Sequence, residues 1–218
     1  MKLISKEYVQ EVLPELKSKW EFDTTPTWTK QGIKNGVPVF QYDHQKTVFK
    51  IIDYINNLEG DSRMNFLDVG CETALYGVSA TQKFKKVFAI DSNTTSYKRA
   101  LITKQFFWDK GYDVSNLFIK HVSFENYYKS GEFEKDGIEA ILLSGCLATF
   151  NEENWAKEQE HNQVKILTKS LKNVKLFLFI TSYHENVSNY LENKIGMNVE
   201  IKNFKNQQIV KQIVIGSR

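Results

Sequence analysis

Residues 65–80 read NFLDVGCETALYGVSA, and this stretch decides the fold. Apolar Phe66 and Leu67 run into Asp68, Val69 and Gly70, and a helical pattern starts near Ala74. A strand, a tight loop and a helix therefore follow one another directly. Such a loop favours glycine at positions 70, 72 and 74, because glycine adopts positive φ freely and lets a ligand approach the backbone. Only Gly70 is kept; Glu72 and Ala74 occupy the other two places. Gly77, one turn further on, is a candidate to supply the close approach that Ala74 forgoes.

Outward from this loop, strands alternate with helices. Strands are expected at Asn65–Gly70, Lys86–Asp91, Leu117–Val122, Ile138–Ser144 and Val174–Thr181. Helices are expected near 74–83, 94–110, 151–172 and 184–195. The run VKLFLFI (174–180) is apolar almost without alternation, so both of its faces must be covered, as in a parallel sheet between helix layers. Strict alternation over this length predicts an α/β fold with a doubly wound, mainly parallel sheet. The end of the chain breaks the rule. MNVEIKNF and QQIVKQIVIGSR leave no room between them for a crossover helix, so they form a C-terminal antiparallel hairpin.

Residues 1–60 differ from the rest and read as an N-terminal helical and loop extension, with residues 61–218 as the main domain. Val9, Val12, Leu13, Leu16 and Trp20 fall at helical spacing, and Pro14 must start, kink or divide that helix. The segment EFDTTPTWTKQGIKNGVPVFQYD (21–43) reads as a loop with a short hairpin turning at Lys34-Asn35-Gly36. After Asp43, the residues Val48, Ile51, Ile52, Ile55 and Leu58 form an amphipathic helical stripe.

The formal charge is +3, with lysines scattered along the chain, so charge does not support nucleic acid as a partner. Lys202, Lys205 and Lys211 read as a solvated face. Two cysteines, Cys71 and Cys146, make no disulfide framework and read as reduced thiols of a cytoplasmic protein. The first residues carry charges throughout, unlike a signal peptide, and no apolar run approaches the ~20 residues needed to span a bilayer. No Cys/His set has metal spacing, so no metal is expected. The sequence carries no signal for an oligomeric state.

In open α/β sheets, ligands bind beyond the carboxyl ends of the strands, where strand order reverses. The loop after Asp68 belongs at that crevice. Asp91 ends the next strand, roughly 20 residues past the glycine, where an acid accepts hydrogen bonds from ribose hydroxyls. That spacing alone fits a nicotinamide cofactor or S-adenosylmethionine. The surrounding letters separate them. LDVGCETALYGVSA resembles the first motif of class I S-adenosylmethionine-dependent methyltransferases, with Glu72 and Ala74 replacing glycines. VFAIDSN resembles their second motif, IKHVSFENYY the segment flanking the adenine, and IEAILLSGCLATF the fourth-strand motif. The resemblance covers residues 65–218 and is loose beyond about residue 150.

The resemblance implies a Rossmann-like fold, S-adenosylmethionine as cofactor and a set of contacts. Asp68 orients the methionine amino group, and Gly70, Cys71 and Glu72 pass under the cofactor. Asp91 grips the ribose beside Ser92, Ser123 and Phe124 border the adenine, and Ser144, Gly145 and Leu147 form the floor. The alternative is that Asp68 and Asp91 only cap helices and cover polar strand ends. A carboxylate at Glu72 either repels the methionine carboxylate or attracts the cationic end of the cofactor. It also suits a cofactor lacking that carboxylate, as used by aminopropyl-transferring relatives of the fold.

For the reaction, the expectation is methyl transfer to oxygen or nitrogen of a small-molecule acceptor. The Pro-Pro-Tyr motif of exocyclic amino methylation is replaced by Ser144-Gly145-Cys146-Leu147, and no Lys-Asp-Lys-Glu set for ribose methylation is present. Cys146 reads as a buried thiol rather than a nucleophile. His184, after the fifth strand with Tyr183 and Glu185, is the candidate catalytic base, or else simply begins a surface helix. His44 and Tyr42 belong to a candidate lid, with Trp20, Trp28 and Phe40 as further aromatics to roof an acceptor. His121 and His161 read as structural. The competing expectation is a catalytically degenerate methyltransferase-fold protein acting as a binding partner or regulatory subunit.

Overall fold

The alternation that begins at residue 65 becomes one seven-stranded sheet in the computed structural model. The structure describes residues 3–20, 33–34, 37–58, 63–143, 162–181, 185–205 and 210–218. Helix α1 (Lys6–Trp20) is followed by a two-residue hairpin, β1 (Ile33–Lys34) and β2 (Val37–Pro38), in which Lys34 pairs with Val37. Helix α2 (Val39–Asn56) then leads into the sheet.

The sheet begins with β3 (Asn65–Val69), α3 (Leu75–Ala80), β4 (Lys86–Asp91), α4 (Thr94–Asp109) and β5 (Leu117–His121). Two short helices, α5 (Phe124–Lys129) and α6 (Glu132–Lys135), precede β6 (Ile138–Leu143). Helix α7 (Asn162–Ser170) and a 3-10 turn (Leu171–Asn173) lead to β7 (Leu176–Thr181). Helix α8 (Glu185–Tyr190), a π turn (Leu191–Ile195), β8 (Asn198–Lys205) and β9 (Val210–Ser217) complete the chain.

Strand order is β5-β4-β3-β6-β7-β9-β8. The strands from β3 to β7 pair in parallel, whereas β9 lies antiparallel between β7 and β8. The expected doubly wound sheet and its antiparallel terminal hairpin are both present. Strand order reverses at β3, which places the loop after Val69 at the switch point.

Successive residues of each central strand feed two different cores. Phe66, Val87, Ala89, Leu117, Leu142 and Leu178 face one cluster, together with α1 to α4. Leu67, Phe88, Ile90, Ile141, Phe177 and Phe179 face the other, together with α5 to α8. This two-sided burial accounts for the unalternating VKLFLFI run. On β6 a register shift opposite Asn65 and Phe66 skips Glu139, so Ile138 and Ala140 face opposite cores.

Three boundaries depart from expectation. Helix α1 continues through Pro14, although the ring removes one intrahelical bond. Buried Val9, Val12, Leu13 and Leu16 hold it in place on both sides of the proline. Helix α2 starts at Val39, directly after β2 and several residues before the stripe beginning at Val48. Helices α5 and α6 occupy the segment after residue 123, where no helix was expected; each is too short to carry a clear periodicity.

The apolar residues of α1 and α2 (Ile4, Val9, Leu16, Ile51, Ile52 and Ile55 among them) lie in the same buried cluster as the sheet. No helix among the described residues is long and apolar enough to cross a membrane.

Candidate functional site

The loop after β3 keeps a glycine-type backbone without the glycines. Gly70, Glu72 and Ala74 all have left-handed φ, at 70°, 49° and 55°. A side chain in this region costs ~1–3 kcal/mol at each position. The surrounding structure holds the loop by its N–H groups. Gly70 and Cys71 both donate to the Ile90 carbonyl, at 2.9 and 3.1 Å, and Ala74 N–H donates to the Cys71 carbonyl at 2.7 Å. Glu72 N–H donates to Asp91 Oδ2 at 3.0 Å. Ala74 then serves as the N-cap of α3 without a side-chain cap bond.

Gly77 plays a packing role rather than the ligand-approach role expected of it. A Cβ there would meet Leu117 Cδ1 at 3.2 Å and Ala89 Cβ at 3.5 Å, so its missing side chain lets α3 lie close on the sheet.

Asp68 is fully buried, and neither carboxylate oxygen has a hydrogen-bond partner. Its in-register neighbours are apolar, Ala89 on β4 and Leu142 on β6. Burial first, and then the nearby Asp91 carboxylate, push its pKa up to about 8. The approach of the Gly77 N–H opposes this rise without completing a hydrogen bond. Asp68 thus does not cap α3, which removes the capping alternative for this residue. Cys71 is also buried, and burial together with Asp68, Asp91 and Glu72 pushes its thiol well up, so it is an unreactive thiol.

Asp91 is half-buried at the end of β4. Besides Glu72 N–H on Oδ2, its Oδ1 accepts from Asn93 N–H at 2.8 Å. The cap of α4 is Asn93, whose side chain accepts from Thr95 and Ser96 N–H at 2.9 and 3.0 Å. Asp91 is therefore free of helix capping and instead ties the strained loop to the second strand. Each of its oxygens retains a further lone pair for a donor from outside.

Ser92 is exposed beside it. The Ser92 carbonyl lies 3.0 Å from His121 Nε2, and the His121 ring stacks on Tyr97 with centroids 5.1 Å apart. His121 thus clasps the loop after β4 to the end of β5, a role that its place inside a predicted strand did not reveal. Ser123 is the N-cap of α5, accepting from Asn126 N–H at 3.2 Å, and Phe124 is buried edge-on against Phe133.

Behind them is a cluster that sequence reading missed. Lys120 Nζ meets Glu132 at 2.6 Å and Asp136 at 2.7 Å, and Tyr127 donates its hydroxyl to Asp136 at 2.5 Å. The Lys120 ammonium also lies over the Phe88 and Tyr127 rings. The cluster fixes α5 and α6 against the sheet, and with them Ser123 and Phe124.

The carboxyl ends of β3, β4 and β5 therefore bring together Asp68, Gly70, Cys71, Glu72, Asp91, Ser92, Ser123 and Phe124. Ser144, Gly145, Cys146, Leu147, Tyr183 and His184 lie outside the described residues, as do Trp28, His161 and the side chains of Phe40, Tyr42 and His44. Trp20 does not roof the site. It is half-buried, and its Nε1–H donates to Thr103 Oγ1 on α4 at 3.1 Å. A surface depression on α4, lined by Leu101, Ile102, Lys104, Gln105 and Trp108, lies apart from these loops. No cluster of three metal-ligating side chains occurs among the described residues.

The same architecture occurs in solved structures of methyltransferases. A candidate tRNA methyltransferase from Streptococcus pneumoniae superposes with a TM-score of 0.55 at 14% identity, over 77% of this chain and 69% of that one. This is the fold of the class I S-adenosylmethionine-dependent methyltransferases. Magnesium protoporphyrin IX methyltransferase from Synechocystis, solved with bound S-adenosylmethionine, is similar over 98% of this chain and 95% of its own, at 9% identity and a TM-score of 0.57. A precorrin-6y methyltransferase from Geobacter metallireducens is similar over 80% of this chain and 88% of its own, at 11% identity and a TM-score of 0.54. No protein-family model and no curated protein sequence matches the chain. In this chain the loop from Gly70 to Ala74 and Asp91 lie at the carboxyl ends of β3 and β4, beside the switch point of that fold.

Proposed function

We propose that the chain is a cytoplasmic S-adenosylmethionine-dependent methyltransferase acting on an oxygen or nitrogen of a small molecule. The observation that carries this reading is the loop backbone. Glu72 and Ala74 hold left-handed φ although both have side chains. Strain of this kind is retained where a surrounding site over-determines it.

The residues present fit the cofactor. Asp68 offers an unpartnered carboxyl group to its amino group, and Asp91 offers two oxygens to the ribose. Ser92 would lie beside the ribose, Ser123 and Phe124 beside the adenine, and the backbone from Gly70 to Glu72 beneath. Ser144 and Leu147 would complete the floor. When bound, the cofactor supplies an activated methyl group; the chain's task is to hold it and orient the acceptor. His184 is the proposed base. Scattered lysines and the formal charge of +3 support a small acceptor over nucleic acid.

Residues 1–60 are proposed to select the acceptor, ahead of the cofactor domain at 61–218. The aromatic segment containing Trp28, Phe40 and Tyr42 is the proposed lid. Because α1 and α2 supply buried core residues, the test is substitution rather than truncation. Tyr42→Ala and Trp28→Ala should raise KM for the acceptor and leave cofactor affinity unchanged. Unchanged acceptor KM in both variants would remove the lid.

Calorimetry with S-adenosylmethionine and S-adenosylhomocysteine tests the main reading. Micromolar to submillimolar binding is expected, and no binding of either at millimolar concentration would overturn it. A second reading, a degenerate partner or regulatory subunit, is favoured by the same side chains at Glu72 and Ala74. The double variant Glu72→Gly, Ala74→Gly discriminates. Binding that arises only in that variant would identify the natural chain as the degenerate one.

A further inference from the structure

Asp68 is a buried acid with nothing to neutralise it. Its two oxygens have no partner, its strand neighbours are Ala89 and Leu142, and the charge that acts on it across the site is another carboxylate, Asp91. On the loop, the buried Cys71 thiol feels Asp68 together with Asp91 and Glu72. From α3 the Gly77 N–H opposes the rise in its pKa. Helix α2 presents apolar Ile51, Ile52 and Ile55 to this core. Among the described residues, no ammonium, guanidinium or imidazole contributes to its field. A charged carboxylate in that position loses its hydration without gaining a counter-charge, so the neutral acid is the stable form in the free protein.

From this arrangement we infer that Asp68 holds a proton in the free protein and releases it when the cationic amino group of the cofactor arrives. Cofactor binding is thereby coupled to proton release. The inference rests on the cofactor reading given above. In the step, the Asp68 O–H bond breaks, the electron pair stays on the carboxylate, and the proton passes to solvent. The ammonium then stands opposite the new charge. The Cys71 thiol is not the source, because three nearby carboxylates and burial hold its proton more tightly.

The consequence is an affinity that rises with pH. Below the pKa of about 8 in the free protein, one proton must leave for each ligand bound. The dissociation constant should therefore fall about tenfold per pH unit between about pH 6 and pH 7, and level off above about pH 8.

Two probes separate this inference from the reading beneath it. S-adenosylhomocysteine carries the amino group; 5′-methylthioadenosine keeps the adenosine and lacks it. Titration calorimetry of the wild-type protein near pH 7, in phosphate and in Tris, counts protons from the difference in buffer ionisation heat. S-adenosylhomocysteine should release close to one proton and 5′-methylthioadenosine none. Asp68→Asn should bind 5′-methylthioadenosine as the wild type does and bind S-adenosylhomocysteine without proton release. If both ligands bind the wild type and neither releases a proton, the coupling is wrong and the cofactor site stands. If proton release persists in Asp68→Asn, another group is the donor and the inference falls. If neither ligand binds the wild type, the cofactor reading fails and takes the coupling with it.

Discussion

Two polar regions flank the carboxyl ends of the strands, and they are built on opposite terms. In the cluster that joins β5 to α5 and α6, Lys120 has two carboxylate partners, Asp136 also receives the Tyr127 hydroxyl, and two aromatic rings cover the ammonium. In the loop after β3, Asp68 has no partner, two non-glycine residues hold left-handed φ, and Asp91 stands near another acid. Buried polar groups in folded proteins are normally satisfied, so an exception asks for a reason. The Lys120 cluster serves the fold, and its charges close on themselves. In the loop after β3, Asp68 has no counter-charge among the described residues, and that is the feature on which the inferred proton coupling rests.

The difference can be broken first through pH. The pKa of Asp68 is raised in the folded protein, so the native state holds a proton that the unfolded chain, near its ordinary value of about 4, has already lost. Stability from this group is present at low pH and declines as pH rises from about 4 to about 8, then becomes flat. Asp68→Asn removes this decline. Thermal denaturation should show the variant more stable than wild type at about pH 8, with the gap narrowing toward about pH 5. A gap that does not depend on pH would mean that Asp68 is not protonated in the free protein.

Asp91→Ala sharpens the comparison next. Hydrogen bonds to a charged group contribute ~1.5–3 kcal/mol each, so loss of the proposed ribose acceptor should weaken S-adenosylhomocysteine binding roughly ten- to several-hundred-fold. Asp91→Asn should do less harm, since one acceptor oxygen remains. The Glu72 N–H also loses its acceptor in the alanine variant, so the melting temperature should fall as well. Lowered stability with unchanged affinity would reduce Asp91 to a loop anchor.

Lys120→Ala probes the closed cluster. It leaves Glu132 and Asp136 without their cation, at partly exposed positions, and should cost about 1–2 kcal/mol of stability. Affinity for S-adenosylhomocysteine should stay within a factor of about three. A larger loss of affinity than of stability would show that the cluster positions the proposed adenine contacts, Ser123 and Phe124.

The smallest effect is expected from Glu72→Gly with Ala74→Gly. Relief of two left-handed side chains is partly offset by the greater freedom of glycine in the unfolded chain, leaving a net gain of about 1 kcal/mol. Chemical denaturation measures it. A loss of stability would show that the side chains of Glu72 and Ala74 hold the loop rather than burden it.

The sequence by itself determined the layering. Apolar runs such as VKLFLFI can be buried only between two helix layers, and the absence of a crossover before β9 forces an antiparallel pair. The acids at Asp68 and Asp91 were legible too, since strand ends and spacing follow from local pattern. Tertiary structure alone decided what those acids do. Asn93 took the cap of α4 and released Asp91 to hold the loop. Gly77 went to packing on Leu117, and Trp20 turned to Thr103. The Lys120 cluster joins β5 to α5 and α6 through contacts that no periodicity marks, and α5 and α6 are shorter than a pattern can reveal. The pKa of Asp68 is raised by burial between apolar strand neighbours and by Asp91, none of which its own strand reveals. Local pattern fixes which face a residue takes; protonation, partnership and strain depend on neighbours brought together from distant parts of the chain.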